Sequence, residues 1–184
     1  MATLRSGTFR GENRLRNATS TSDGTTPGEW VLLTYRVPRE PSAPRIAVWR
    51  ALKRLGVALL GDGLVALPAD ARTREQLDWV AEQIVESGGS AGVWLARPGT
   101  VRQERDLTTA MAASRATEYT AVLADAAAAL AADPTTRTAA LRRLRGQLRR
   151  IGRRDYFPPP QRDAAHAAVQ ALAAVSESDH EELA

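Results

Sequence analysis

Apolar and polar positions along the chain change period several times, and each change predicts an element. Trp30 to Val37 is a short run of apolar, aromatic and β-branched residues that stops at Pro38, the pattern of a buried strand. After a proline-rich loop, Ser42 is placed to N-cap a helix, with Pro44 in its first turn. Ile46, Val48 or Trp49, Leu52 and Leu55 recur at helical spacing until Gly56. Two apolar runs, Val57–Leu60 and Leu64–Leu67, flank Gly61-Asp62-Gly63 and predict a hairpin. Thr73 with Gln76 suggests a capping box, followed by Leu77, Val80, Ala81, Ile84 and Val85 on a helical face. Ala91–Ala96 predicts a last strand before Pro98-Gly99.

The order β-α-β-β-α-β over Trp30–Ala96 predicts an α+β fold: a ferredoxin-like βαββαβ core with a C-terminal helical extension. The extension reads as helices over 102–132 and 136–153, a stiff Asp155-Tyr156-Phe157-Pro158-Pro159-Pro160 linker, and a short helix over 162–175. The expected organisation is a disordered basic arm over 1–29, the core over 30–99, the extension over 100–176 and an acidic frayed tail over 177–184. Arg5, Arg10, Arg14 and Arg16 make the arm basic. Trp30, Trp49, Trp79 and Trp94 all fall at apolar positions and are expected in the core, with Tyr35 and Trp94 the candidates for exposure on the sheet.

Composition narrows the chemistry. The 184 residues include no cysteine, which excludes disulfides, thiolate metal sites and cysteine nucleophiles. His166 and His180 are the only histidines, too few for a His-rich zinc site. No phosphate loop, nucleophile elbow or metal-binding helix motif is present. No catalytic residue, metal site or cofactor is therefore expected, and the chain reads as a binding protein. The N-terminus lacks a signal-peptide core and no segment is apolar enough to span a bilayer, so a cytoplasmic location without a membrane partner is expected.

Charge points to anionic partners. The net charge is +4, and of 25 basic residues only Lys53 is a lysine. Arginine presents a planar fork of donors that suits phosphate and other oxyanions. Arg137 to Arg154 holds eight arginines and no acid. Leu141, Leu144, Leu148 and Ile151 form a packing seam, which leaves Arg142, Arg143, Arg145, Arg149, Arg150, Arg153 and Arg154 as candidates for phosphate contact. Arg36, Arg39, Arg45 and Arg50 surround a loop stiffened by Pro38, Pro41 and Pro44, and are candidates for binding a tetrahedral oxyanion. Two other readings stay open. The basic helix can dock an acidic partner or subunit, or the chain can be a small enzyme on an anionic substrate with Glu40 or Asp62 as base.

The stretch Tyr35-Arg36-Val37-Pro38-Arg39-Glu40-Pro41-Ser42-Ala43-Pro44-Arg45 carries a specific likeness. With Val48-Trp49-Arg50, Leu55-Gly56, Asp62-Gly63 and Leu67-Pro68, it resembles the N-terminal domain of the ChrB chromate-resistance proteins. Ile151-Gly152-Arg153-Arg154-Asp155-Tyr156-Phe157 resembles the distal part of that domain, so the likeness spans about Trp30 to Val175. The separate C-terminal domain of longer members has no counterpart in this sequence. The resemblance implies a cytoplasmic regulator of a chromate-efflux operon that binds operator DNA and responds to chromate or a similar oxyanion. Duplex DNA, the oxyanion and a second copy of the chain are the expected partners. Without cysteine, such sensing would be reversible binding and not reduction by the chain's own thiols.

Overall fold

A computed structural model describes residues 26–181. The arm read over 1–29 falls, up to residue 25, outside the described residues, with Arg5, Arg10, Arg14 and Arg16; so do residues 182–184 of the acidic tail. The elements are β1 (Trp30–Arg36), α1 (Ser42–Leu55), β2 (Ala58–Gly61), β3 (Leu64–Pro68), α2 (Ala71–Glu86), β4 (Ser90–Ala96), α3 (Val101–Leu130), α4 (Pro134–Gly152) and α5 (Gln161–Glu181). The fold is mixed α/β, with one antiparallel sheet in the order β2-β3-β1-β4.

Register explains which strand residues are buried. Val31 and Leu33 lie opposite Leu67 and Val65, so these four share one face of the sheet, and all are fully buried. They join Val48, Ala51 and Leu52 of α1 and Leu77, Val80 and Ile84 of α2 in one apolar core. On the other face, Trp30, Leu32 and Ala66 meet Leu107 of α3 around a cavity of about 130 Å³. Burying one such side chain contributes about 1.5–3 kcal/mol, so these facing rows dominate the stability of this half.

Several local details differ from the sequence reading, each for a physical reason. Pro41, not Ser42, is the N-cap of α1 and makes no side-chain cap; Ser42 is already helical. The α2 capping box is closed by Asp70 and Thr73. The Asp70 carboxylate accepts from Thr73 N at 2.6 Å, and Thr73 Oγ1 accepts from Asp70 N at 3.0 Å. Thr73 Oγ1 also donates to Pro68 O at 2.7 Å, which ties the helix start to β3. In the hairpin Gly61 belongs to β2 and the turn is Asp62-Gly63. Gly63 has φ +71°, and a Cβ there would sit 2.3 Å from Tyr35 O, so glycine is required.

Only Trp30 of the four tryptophans is buried. Trp49 and Trp79 are 57% and 69% exposed, against the expectation that they lie in the core, and Trp94, the candidate for exposure on the sheet, is 60% exposed. On α1 the buried stripe is Val48, Ala51 and Leu52, and the small Ala51 holds the inner position. Ile46 and Trp49 fall on the outer stripe, where Lys53 lies over the Trp49 ring at 4.8 Å. Trp94 sits on the open end of the sheet and its Nε1 donates to Thr34 Oγ1 at 3.1 Å.

The 30-residue α3, about 45 Å long, links two cores. Its first half gives Leu107 and Met111 to the sheet. Its second half gives Tyr119, Val122, Ala126 and Ala129 to a three-helix core with Leu141, Leu144, Leu148 and Ile151 of α4 and Val169 and Leu172 of α5. Glu104 in the first turn of α3 accepts from Gly28 N at 2.8 Å and Trp30 Nε1 at 3.2 Å. Helix α4 begins with Asp133 as N-cap, accepting from Thr136 N at 3.0 Å, and Pro134 in the first turn. Helix α5 continues to Glu181, beyond the predicted end at Val175, because nothing from Ser176 to His180 breaks it.

Candidate functional site

Two arrangements of arginine stand out, one on the surface and one at the junction of the two cores.

The surface arrangement follows from the α4 repeat. Its seam of Leu141, Leu144, Leu148 and Ile151 is buried, which forces the intervening positions outward. Arg142, Arg143, Arg145, Arg149, Arg150 and Arg153 are all exposed. Arg143 donates to Asp125 of α3 at 2.7 Å. The other five have no carboxylate within ion-pair distance among the described residues. Arg142, Arg145 and Arg149 line one surface depression with Thr138 and Leu141. On the α5 side Arg145 and Arg149 also border a groove of about 510 Å³ with Arg162 and His166, floored by Leu148 and Val169. Arg162 and His166 were not read as site residues; only the antiparallel α4–α5 packing brings them beside α4. From Arg142 to Arg153 the helix rises about 17 Å, long enough to face several phosphates.

Arg154 has a different place. It pairs with Glu118 of α3, and its Nη1 donates to Lys53 O at 3.3 Å. Glu118 also holds Arg115, at 2.9 Å. Arg115 is 9% exposed, with Nε and Nη1 buried without a hydrogen-bond partner. Burial lowers the Arg115 pKa, and the Glu118 carboxylate pulls the other way. Tyr156 OH donates to Leu55 O at 3.1 Å, and Phe157 stacks on Trp30 at 6.0 Å between centroids. Residues 154–157 thus reach two carbonyls in the last turn of α1 and bind the helical half to the sheet half. The segment read as a stiff linker is a docking segment. Gly56, at φ +71°, permits the contact, because a Cβ there would lie 2.8 Å from Arg154 Cβ.

Tyr119 belongs to the same junction and donates to Asp155 Oδ2 at 2.9 Å. Burial, then the Asp155 hydrogen bond, push its pKa up to about 12. An acid whose folded pKa is raised stabilises the fold below its unfolded pKa, and that contribution is lost as pH rises through the folded value. The expected result is a stability loss between about pH 10 and pH 12, which Tyr119→Phe reduces but does not abolish, since burial also raises the pKa values of Tyr35 and Tyr156. Alkaline unfolding followed by circular dichroism measures it; an identical loss in both proteins contradicts the assignment. The sequence reading missed Arg115, Glu118 and Tyr119. Their one signal was charged and aromatic residues at helical spacing inside an alanine-rich helix.

The four loop arginines are less concentrated than the sequence suggested. Arg36, Arg39, Arg45 and Arg50 are all exposed. Arg36 ends β1, Arg39 is in the loop, and Arg45 and Arg50 are on α1. Five residues of helix turn Arg50 about 140° from Arg45, so the pair does not share a face. Asp62 is exposed in its turn, and no group of three metal-ligating side chains occurs among the described residues. Nor is any helix among the described residues long and apolar enough to cross a membrane.

Residues 45–133 match the family described as "Protein ChrB, N-terminal". The match runs from α1 through α3 and takes in Arg45, Arg50, Gly56, Arg115 and Glu118; β1, α4 and α5 lie outside it. No curated protein and no solved structure matches the chain. The matched segment overlaps the residues that carried the likeness in the sequence, from Arg45 to Leu67-Pro68, and supports assignment to the ChrB family as a chromate-resistance-related protein.

Proposed function

We propose that the protein is a DNA-associated regulator of chromate resistance, with α4 as its phosphate-contacting surface. The observation that carries this reading is the row of Arg142, Arg145, Arg149, Arg150 and Arg153, exposed and without acidic partners among the described residues. Cations held on one rigid helix face gain most from an equally regular row of anions, and a duplex backbone supplies one. Arg143, already paired with Asp125, contributes less. Arg36, Arg39 and Arg45 are the proposed contacts for a tetrahedral oxyanion, with Arg50 on another flank of α1.

The same reading takes the βαββαβ order and the sheet order β2-β3-β1-β4 as a ferredoxin-like core over 30–99, carrying the extension over 100–176, in a cytoplasmic protein. The apolar floor of the α4–α5 groove favours a second reading, in which the arginines dock an acidic protein segment. Binding to duplex DNA from the protein's own upstream region, with chromate or sulfate added at equal ionic strength, separates them. Binding that chromate weakens and sulfate does not supports the regulator. Binding indifferent to chromate removes the oxyanion response, and no retention of DNA moves the assignment to the acidic partner.

A further inference from the structure

The two edges of the sheet are built differently. β2 has four residues and a register break between Leu59 and Gly61. Short, bulged edges resist pairing with another chain. β4 has seven residues, an unbroken register with β1, and neither a charge nor a proline. It pairs with β1 on one side and with no strand on the other among the described residues. Alternate residues of an antiparallel strand turn N–H and C=O away from the partner, so about half of β4 presents backbone donors and acceptors outward. The side chains add apolar surface on both faces, with Trp94 60% and Leu95 51% exposed. Helix α2, packed against β4, adds the exposed Val85.

We propose that β4 is the interface of a homodimer, in which two copies pair their β4 strands antiparallel and join two four-stranded sheets into one. A second copy is the occupant for three reasons. Antiparallel pairing of identical strands closes on a two-fold axis and satisfies both edges at once. The strand carries no charge, so the paired strands themselves add none of the repulsion that would separate two α4 faces. The neighbouring helix is also acidic. Glu75, Asp78, Glu82 and Glu86 against Arg72 and Arg74 give α2 a net charge of −2, opposite in sign to the whole chain at +4, which disfavours nucleic acid on this side. The inference does not depend on DNA binding, since it is tested without DNA.

The test is the solution mass of the full chain by light scattering over a dilution series, with hydrogen exchange of the β4 amides. The expected mass at high concentration is twice the 19.9 kDa of one chain. Leu95→Lys returns it to one chain, while Leu59→Lys, on the exposed β2 edge, leaves the doubled mass. In the unmodified protein the outward β4 amides exchange more slowly as concentration rises, which decides the matter even if the Leu95 variant folds poorly. A single-chain mass throughout overturns the proposal. So does a doubled mass that Leu95→Lys does not reduce, or β4 protection that is independent of concentration.

Discussion

Replacing Arg142, Arg145 and Arg149 together by alanine is expected to weaken duplex binding by one to three orders of magnitude at low salt and to leave folding intact. Each phosphate contact contributes about 0.9 to the slope of log K against log salt. Three lost contacts therefore lower the slope by roughly 2.7, and the loss is similar on unrelated sequences, as phosphate contacts require. All three side chains are exposed and make no ion pair among the described residues, so the fold keeps its contacts. A filter-binding series comparing the parent chain and the variant checks this. Equal slopes would remove α4 from the interface.

Glu118→Ala is expected to have the largest effect on stability, and a distinct one. Glu118 is the common partner of Arg115 and Arg154, whose side chains are 10% and 19% exposed. Removing it leaves two enclosed guanidiniums facing each other. Breaking a buried pair costs about 3–5 kcal/mol, which for a chain of this size lowers the melting temperature by roughly 10 °C. The comparison is Asp125→Ala, which breaks only the exposed pair with Arg143 and costs about 1 kcal/mol or less. Thermal unfolding of the two variants gives the answer. Equal, small losses would mean that the junction does not hold the halves together. By the same geometry Arg154→Ala acts on stability more than on DNA, which separates it from the other arginines of its run.

The sequence made the order of elements legible because each carries its own period. The continuous apolar run of β1, the leucine seam of α4 and the glycines of the hairpin are local signals. Tryptophan exposure was not legible. An aromatic residue at a helical apolar position can fall one residue off the buried stripe, as Trp49 does beside Val48. The exposed arginine row was visible because it lies on one helix. The junction was not, because Glu118, Arg154 and Lys53 meet across long stretches of chain. Arg154 looked like one more surface cation until the docking of 154–157 against α1 gave it a carboxylate and a carbonyl.

The central claim is that an unpaired arginine row on α4 meets a phosphate backbone. The most direct measurement is the affinity of the unmodified chain for duplex DNA over a range of salt concentrations. Five unpaired arginines predict a log–log slope of about −4 to −5. No retention at low salt, or a slope near zero, would contradict the account.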